Sequence, residues 1–261
     1  MEVIIRPTKV EAAELAARLL AEEIRKKPSI VLGLATGRTM EQVYPCLAEM
    51  HEKEDLDFSL VRTFNLDEYI GLSPDDKNSY RHYMNEQLFS RVNIDIRNTF
   101  LPDGMAKDVD KACADYEAKI KEVGGIDLQL LGIGRAGHIG FNESLSALKS
   151  RTRAKALTPI TIQENSTLFD RPEDMPKRAI TMGVGTILEA KKILLLVTGD
   201  TKADILAKAV EGPITSMVSA SAIQLHEKCL VICSASAATN LKGIDYYNWI
   251  FENEPEWAPY R

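Results

Sequence analysis

Cysteine is scarce, with 4 in 261 residues, too few for a disulfide framework in a chain of this size. Cys229 and Cys233 fall within the apolar run CLVICS, which reads as a buried strand; with Cys46 and Cys113 they are expected to be structural thiols in a reducing cytosol. Positive charge is also in short supply. Against 38 Asp and Glu stand 32 Lys and Arg, leaving a net charge of −6. That balance argues against nucleic acid or an anionic membrane as the main partner, while a small anion held by local cations stays open. No apolar run approaches a bilayer span, and the opening MEVIIRPTKVEAAEL lacks the form of a signal peptide, so the expected location is cytoplasmic. Internal repeats and low-complexity tracts are missing. So are the lysine and spacing of a Walker loop, the G-x-S-x-G elbow and the glycine spacing of a dinucleotide site.

What is present is an alternation of apolar strands and amphipathic helices. Thr8 to Lys27 has helical spacing, with Thr8 at a cap position and Pro28 just past the end. SIVLGLA (29–35) reads as a buried strand, and MEQVYPCLAEMHEK (40–53) as a helix that Pro45 would kink. VRTFNLDEYIG (61–71) looks like a strand ending in a polar tip. SYRHYMNEQLFSRV and VDKACADYEAKIKEV follow as helices, then IDLQLLGIG as a third strand. Residues 144–178 are less regular and carry prolines at 159, 172 and 176; such a stretch is expected to be a lid or an interface. AITMGVGTILEAKKILLLVTG supplies a strand, a short helix and a strand. TKADILAKAVEG, SASAIQLHE and KCLVICS complete the series. The expected fold is α/β: a single domain over 1–261 with a mostly parallel sheet covered on both faces.

In such sheets ligands bind beyond the carboxyl ends of the strands, so four strand tips should share one cleft. Thr36-Gly37-Arg38-Thr39 lies between a strand and a helix; its hydroxyls, free N–H groups and glycine suit a phosphate, although Thr39 capping a helix would explain the turn as well. Lys202, opening the helix after TGD, could neutralise that phosphate or simply lie on the surface. Asp67 and Glu68 follow FNL and could move protons beside a carbonyl, bind a magnesium ion or cap a helix. The richest tip is LGIGRAGHIGFNE (131–143). His138 is the one histidine in a glycine turn, and Glu143 could orient it; His51, His82 and His226 fall on predicted helices.

Together these tips resemble the glucosamine-6-phosphate deaminase/isomerase family. VLGLATGRT, TFNLDEYIGL, SYRHYM, LGIGRAGHIGFNE, SRTR, MGVGTIL, AVEG and IQLH occur in that family's order across nearly the whole chain. FNLDEY and GHIGFNE separate it from the 6-phosphogluconolactonases on the same scaffold. The resemblance implies a Rossmann-like three-layer αβα fold and a cofactor-free, metal-free conversion of glucosamine 6-phosphate to fructose 6-phosphate and ammonia through an enediol-type intermediate. It makes Asp67 the base between C2 and C1, His138 and Glu143 the ring-opening pair, and Thr36, Gly37, Thr39 and Lys202 the phosphate seat.

Departures from the family pattern are informative. Ala136 stands where relatives carry Asp or Asn before Gly-His, so a methyl replaces a group able to orient the histidine. Thr167 in NSTLF stands where a phosphate-contacting arginine is usual, and Arg38 is expected to replace that guanidinium. Ser144 replaces a proline after Glu143. Ser146, Arg153 and Lys155 align with an allosteric interface site of hexameric relatives, but Ala147 and Ala156 replace its other polar members. A homo-oligomer therefore stays open. So do a different substrate, such as galactosamine 6-phosphate, and a sugar-phosphate sensor without catalysis, although a sensor would need none of Asp67, His138 and Glu143.

Overall fold

The computed structural model describes residues Met1 to Arg261. Helix α1 (Lys9–Lys26) starts at a capping box: Thr8 Oγ1 accepts from the Glu11 N–H at 3.1 Å, and Glu11 Oε2 accepts from the Thr8 N–H at 2.9 Å. Its buried side is alanine- and leucine-rich, from Ala12 to Ile24. Helix α2 (Val43–Glu54) follows a 3-10 turn at Met40–Gln42. Pro45 falls in the first turn of α2, where a missing N–H leaves no bond unmade, so the expected kink has no cause. The remaining helices are α3 (Tyr80–Gln87), α4 (Val109–Glu122), α5 (Pro159–Asn165), α6 (Val184–Leu188), α7 (Ala203–Val210), α8 (Ala235–Ala238) and α9 (Ile244–Asn253). SASAIQLHE forms a 3-10 helix, Ser219–Leu225, in place of an α-helix.

The strands are β1 (Glu2–Arg6), β2 (Val31–Leu34), β3 (Arg62–Asn65), β4 (Asp67–Tyr69), β5 (Thr99–Phe100), β6 (Leu128–Leu131), β7 (Arg153–Ala156), β8 (Arg178–Thr181), β9 (Ile193–Val197) and β10 (Cys229–Ser234). Seven of them form one parallel sheet in the order β1-β10-β9-β6-β2-β3-β5, flanked by helices as in an αβα sandwich. Full burial of β9 (ILLLV) and β2 (VLGL) follows from helices covering both faces. After β5 the chain crosses back over β2 to lay down β6, so the order reverses between β2 and β6. The four tips singled out in the sequence leave β9, β6, β2 and β3, which are adjacent in the sheet.

A second sheet, β4-β8-β7, is antiparallel. The stretch read as one strand with a polar tip is therefore two strands in different sheets. They part at Leu66, whose N–H donates to Leu34 O and whose carbonyl accepts from the Met182 N–H. Residues 144–178 hold β7 and α5, and a small apolar cluster of Tyr69, Phe141, Leu157, Phe169, Met175 and Ala179 packs beneath them. No helix is long and apolar enough to cross a membrane.

Candidate active site

Asp67 is the first residue of β4 and is buried, and its carboxylate makes no hydrogen bond within the protein. Burial, together with the adjacent Glu68 charge, pushes its carboxyl up to about 8. The two acids diverge because successive strand residues face opposite ways. Glu68 accepts from the N–H groups of Tyr69, Tyr80 and Arg81 at 2.8, 3.0 and 3.0 Å. Along with Ser79 it caps α3, a structural role. Of the two acids, Asp67 alone is left without a hydrogen-bond partner.

The Gly-His loop after β6 is pinned from several sides. Phe141 N–H donates to Thr181 Oγ1 at 2.9 Å, Ala220 N–H to Gly137 O at 2.9 Å, and Ser219 Oγ to Asn142 O at 2.6 Å. Fully buried Asn142 donates to the Ile139 and Met182 carbonyls, both at 2.8 Å, and accepts from Arg153 Nη1 at 3.0 Å. Pinned in this way, the loop packs closely against its own His138 ring and against Asp67. A Cβ on Gly134 would lie 2.0 Å from His138 Nε2, and one on Gly140 (φ +56°) would lie 3.3 Å from Asp67 Oδ2. Close backbone approach is what those glycines permit.

His138 Nδ1 lies 3.2 Å from Glu143 Oε2, near enough for charge attraction though off the line of a hydrogen bond. Glu143 Oε1 accepts from the Thr158 N–H at 3.2 Å. Burial opposes the Glu143 charge, but His138, Thr161 and Thr158 outweigh it and hold the carboxyl down at about 2. One carboxyl near 8 and another near 2 in the same cleft is the separation that acid–base work requires.

The Thr36–Thr39 turn follows β2. Thr39 makes no capping bond, so its hydroxyl is not consumed by the helix start, and open space lies above Gly37. Arg38 is exposed and has no ion pair. Lys202 sits just ahead of α7, against which the Gly-His loop rests: a Cβ on Gly137 would meet Ile205 Cδ1 at 2.7 Å. Burial lowers the Lys202 ammonium; Glu164 opposes that shift and Arg135 adds to it. Of the residues expected at an interface, Ser146 is buried with an unpartnered hydroxyl, and Arg153 and Lys155 sit at alternate positions of β7.

Helix α5 leaves no periodic mark in the sequence. This short helix runs from its cap Thr158, which donates to Glu143, to Asn165, whose Nδ2 donates to Tyr69 Oη at 3.1 Å, with Glu164 beside Arg135 in its last turn. Thr158-Pro159, a capping residue before a proline, was the available signal. A surface hollow of about 400 Å³ on the outer side of α2 is lined by residues such as Glu49, Lys53 and Arg91 and lies apart from this cleft.

Residues 8–232 match the model of the glucosamine-6-phosphate isomerases/6-phosphogluconolactonase family. The glucosamine-6-phosphate deaminase of Hahella chejuensis is 49% identical over 250 residues, covering 96% of this chain and 95% of that protein. A solved structure of a monomeric glucosamine-6-phosphate deaminase superposes with a TM-score of 0.90 at 44% identity, covering 92% of this chain and all of the other. A 6-phosphogluconolactonase from Trypanosoma cruzi shares the fold at a TM-score of 0.74 but only 20% identity, covering 92% of this chain and 97% of its own.

Proposed function

This chain belongs to the glucosamine-6-phosphate isomerase/6-phosphogluconolactonase family, and we propose that within it the protein is a glucosamine-6-phosphate deaminase. Glucosamine 6-phosphate and water become fructose 6-phosphate and ammonia. The observation that carries this reading is Asp67: a buried carboxyl, unbonded and pushed up to about 8, against the loop that bears His138 and Glu143. A base with a pKa near the working pH can both take a proton from carbon and return it.

Thr36, Gly37, Thr39 and Lys202 seat the phosphate at one end of the cleft. Anionic Glu143 favours the His138 tautomer with its hydrogen on Nδ1, and His138 relays a proton from the C1 hydroxyl to the ring oxygen as the C1–O5 bond breaks. Asp67 then removes the C2 proton, giving an enediol-type intermediate with nitrogen on C2, and delivers that proton to C1. The resulting C2 imine takes up water and expels ammonia. Ala136 offers no polar group to this relay, so ring opening rests on His138 and Glu143. The four free thiols suit a cytosolic location.

The test is ammonia release together with ketose phosphate formation across a panel of hexosamine 6-phosphates. Turnover of glucosamine 6-phosphate is expected. Turnover of galactosamine 6-phosphate alone would replace the substrate, and tight binding without turnover of any sugar would overturn the enzymatic reading.

A further inference from the structure

Resting on that reading, we propose that Arg135, on the Gly-His loop itself, supplies the guanidinium that grips the sugar's phosphate, and that Glu164 occupies Arg135 until the phosphate displaces it. Arg135 Nε lies 3.1 Å from Glu164 Oε1. The Glu164 oxygen is buried and lacks a properly aligned hydrogen bond, so this contact is close but loosely made. Lys202 shares the same surroundings, attracted by Glu164 and repelled by Arg135. Two cations and one carboxylate leave the cluster short of negative charge, and a phosphate dianion would correct that.

The alternatives are weaker on geometry. Thr167 is exposed on the turn after α5 and its hydroxyl donates to Glu164 O at 3.0 Å, so it offers the anion no charge. Arg38 extends into solvent from the Thr36–Thr39 turn without a partner to aim it. Arg135 is 61% exposed yet held by an acid. A planar guanidinium adds two parallel bonds to phosphate oxygens where an ammonium adds a point charge. Glu164 lies at the end of α5, and the start of α5 donates to Glu143. Releasing Glu164 as phosphate arrives therefore frees one end of a helix whose other end touches the ring-opening pair.

The experiment measures kcat and KM for glucosamine 6-phosphate, and separately the calorimetric Kd of inorganic phosphate, for the wild type, Arg135→Ala, Arg135→Lys and Glu164→Gln. Arg135→Ala is expected to raise KM and the phosphate Kd together by roughly ten- to a hundredfold, with kcat nearly unchanged. Arg135→Lys should recover only part of that loss, and Glu164→Gln should bind phosphate more tightly. A phosphate Kd unmoved in Arg135→Ala overturns the assignment. So does Arg38→Ala losing affinity where Arg135→Ala does not, which returns the role to Arg38. Glu164→Gln binding no better overturns its part. Because phosphate binding is read without turnover, these outcomes stand apart from whether glucosamine 6-phosphate is the substrate.

Discussion

Asp67 shows how far one residue's setting can depart from its identity. Its type and place after FNL were legible in the chain; its isolation was not, because isolation depends on what the neighbours do with their own hydrogen bonds. Glu68 spends its oxygens on three N–H groups, and nothing donates to Asp67. The pH consequence follows from the raised carboxyl. Below about pH 4 both folded and unfolded chains hold the proton and burial carries no charge penalty. As pH rises toward about 8 the unfolded chain gives up its proton while the folded one keeps it, so stability is lost across that window. Asp67→Asn should therefore gain stability over the wild type, and urea midpoints should show the gap widening from about pH 5 to about pH 9. The same variant should lose at least roughly a hundredfold in kcat. Glu68→Gln should cost about 2 kcal/mol of stability through the α3 cap. Removing the neighbouring charge also lowers the Asp67 carboxyl, so the acid limb of the pH–rate profile should move to lower pH.

At the scale of elements, the chain read best where periodicity is long and one-sided. Helix α1, strand β9 and strand β10 declare themselves because burial of a stripe or a whole run leaves a repeating mark in composition. The Gly-His loop was legible as a site for a different reason, its glycines at a strand end. Strand β4 was not, since FNLDEY is continuous in character and only the two partners of Leu66 divide it between sheets. Helix α5 was hidden by its shortness, and β1 and α9 at the ends of the chain were not anticipated at all. The loop's geometry makes a sharp prediction. An alanine at Gly134 would drive a methyl into the His138 ring. Gly134→Ala should keep its fold by circular dichroism and lose on the order of a hundredfold in kcat, the scale expected when a catalytic group is displaced by about 1 Å.

At the scale of the whole molecule, one parallel sheet carries the tips and a second sheet aims one of them. The tips that carry Asp67, Thr36, His138 and Lys202 leave adjacent strands of that one sheet. Specific activity should accordingly stay constant on roughly hundredfold dilution, and a fall that tracks dissociation in sedimentation would contradict this. The amino-acid sequence by itself determined the α/β class, the family and the identities of Asp67, His138 and Glu143, because strand–helix alternation and glycine-rich tips are local signals. Only the tertiary structure decided which of two adjacent acids is left unbonded, which strands stand side by side, and that Arg135 meets Glu164. Those outcomes turn on burial and on partners distant along the chain, which no local pattern encodes.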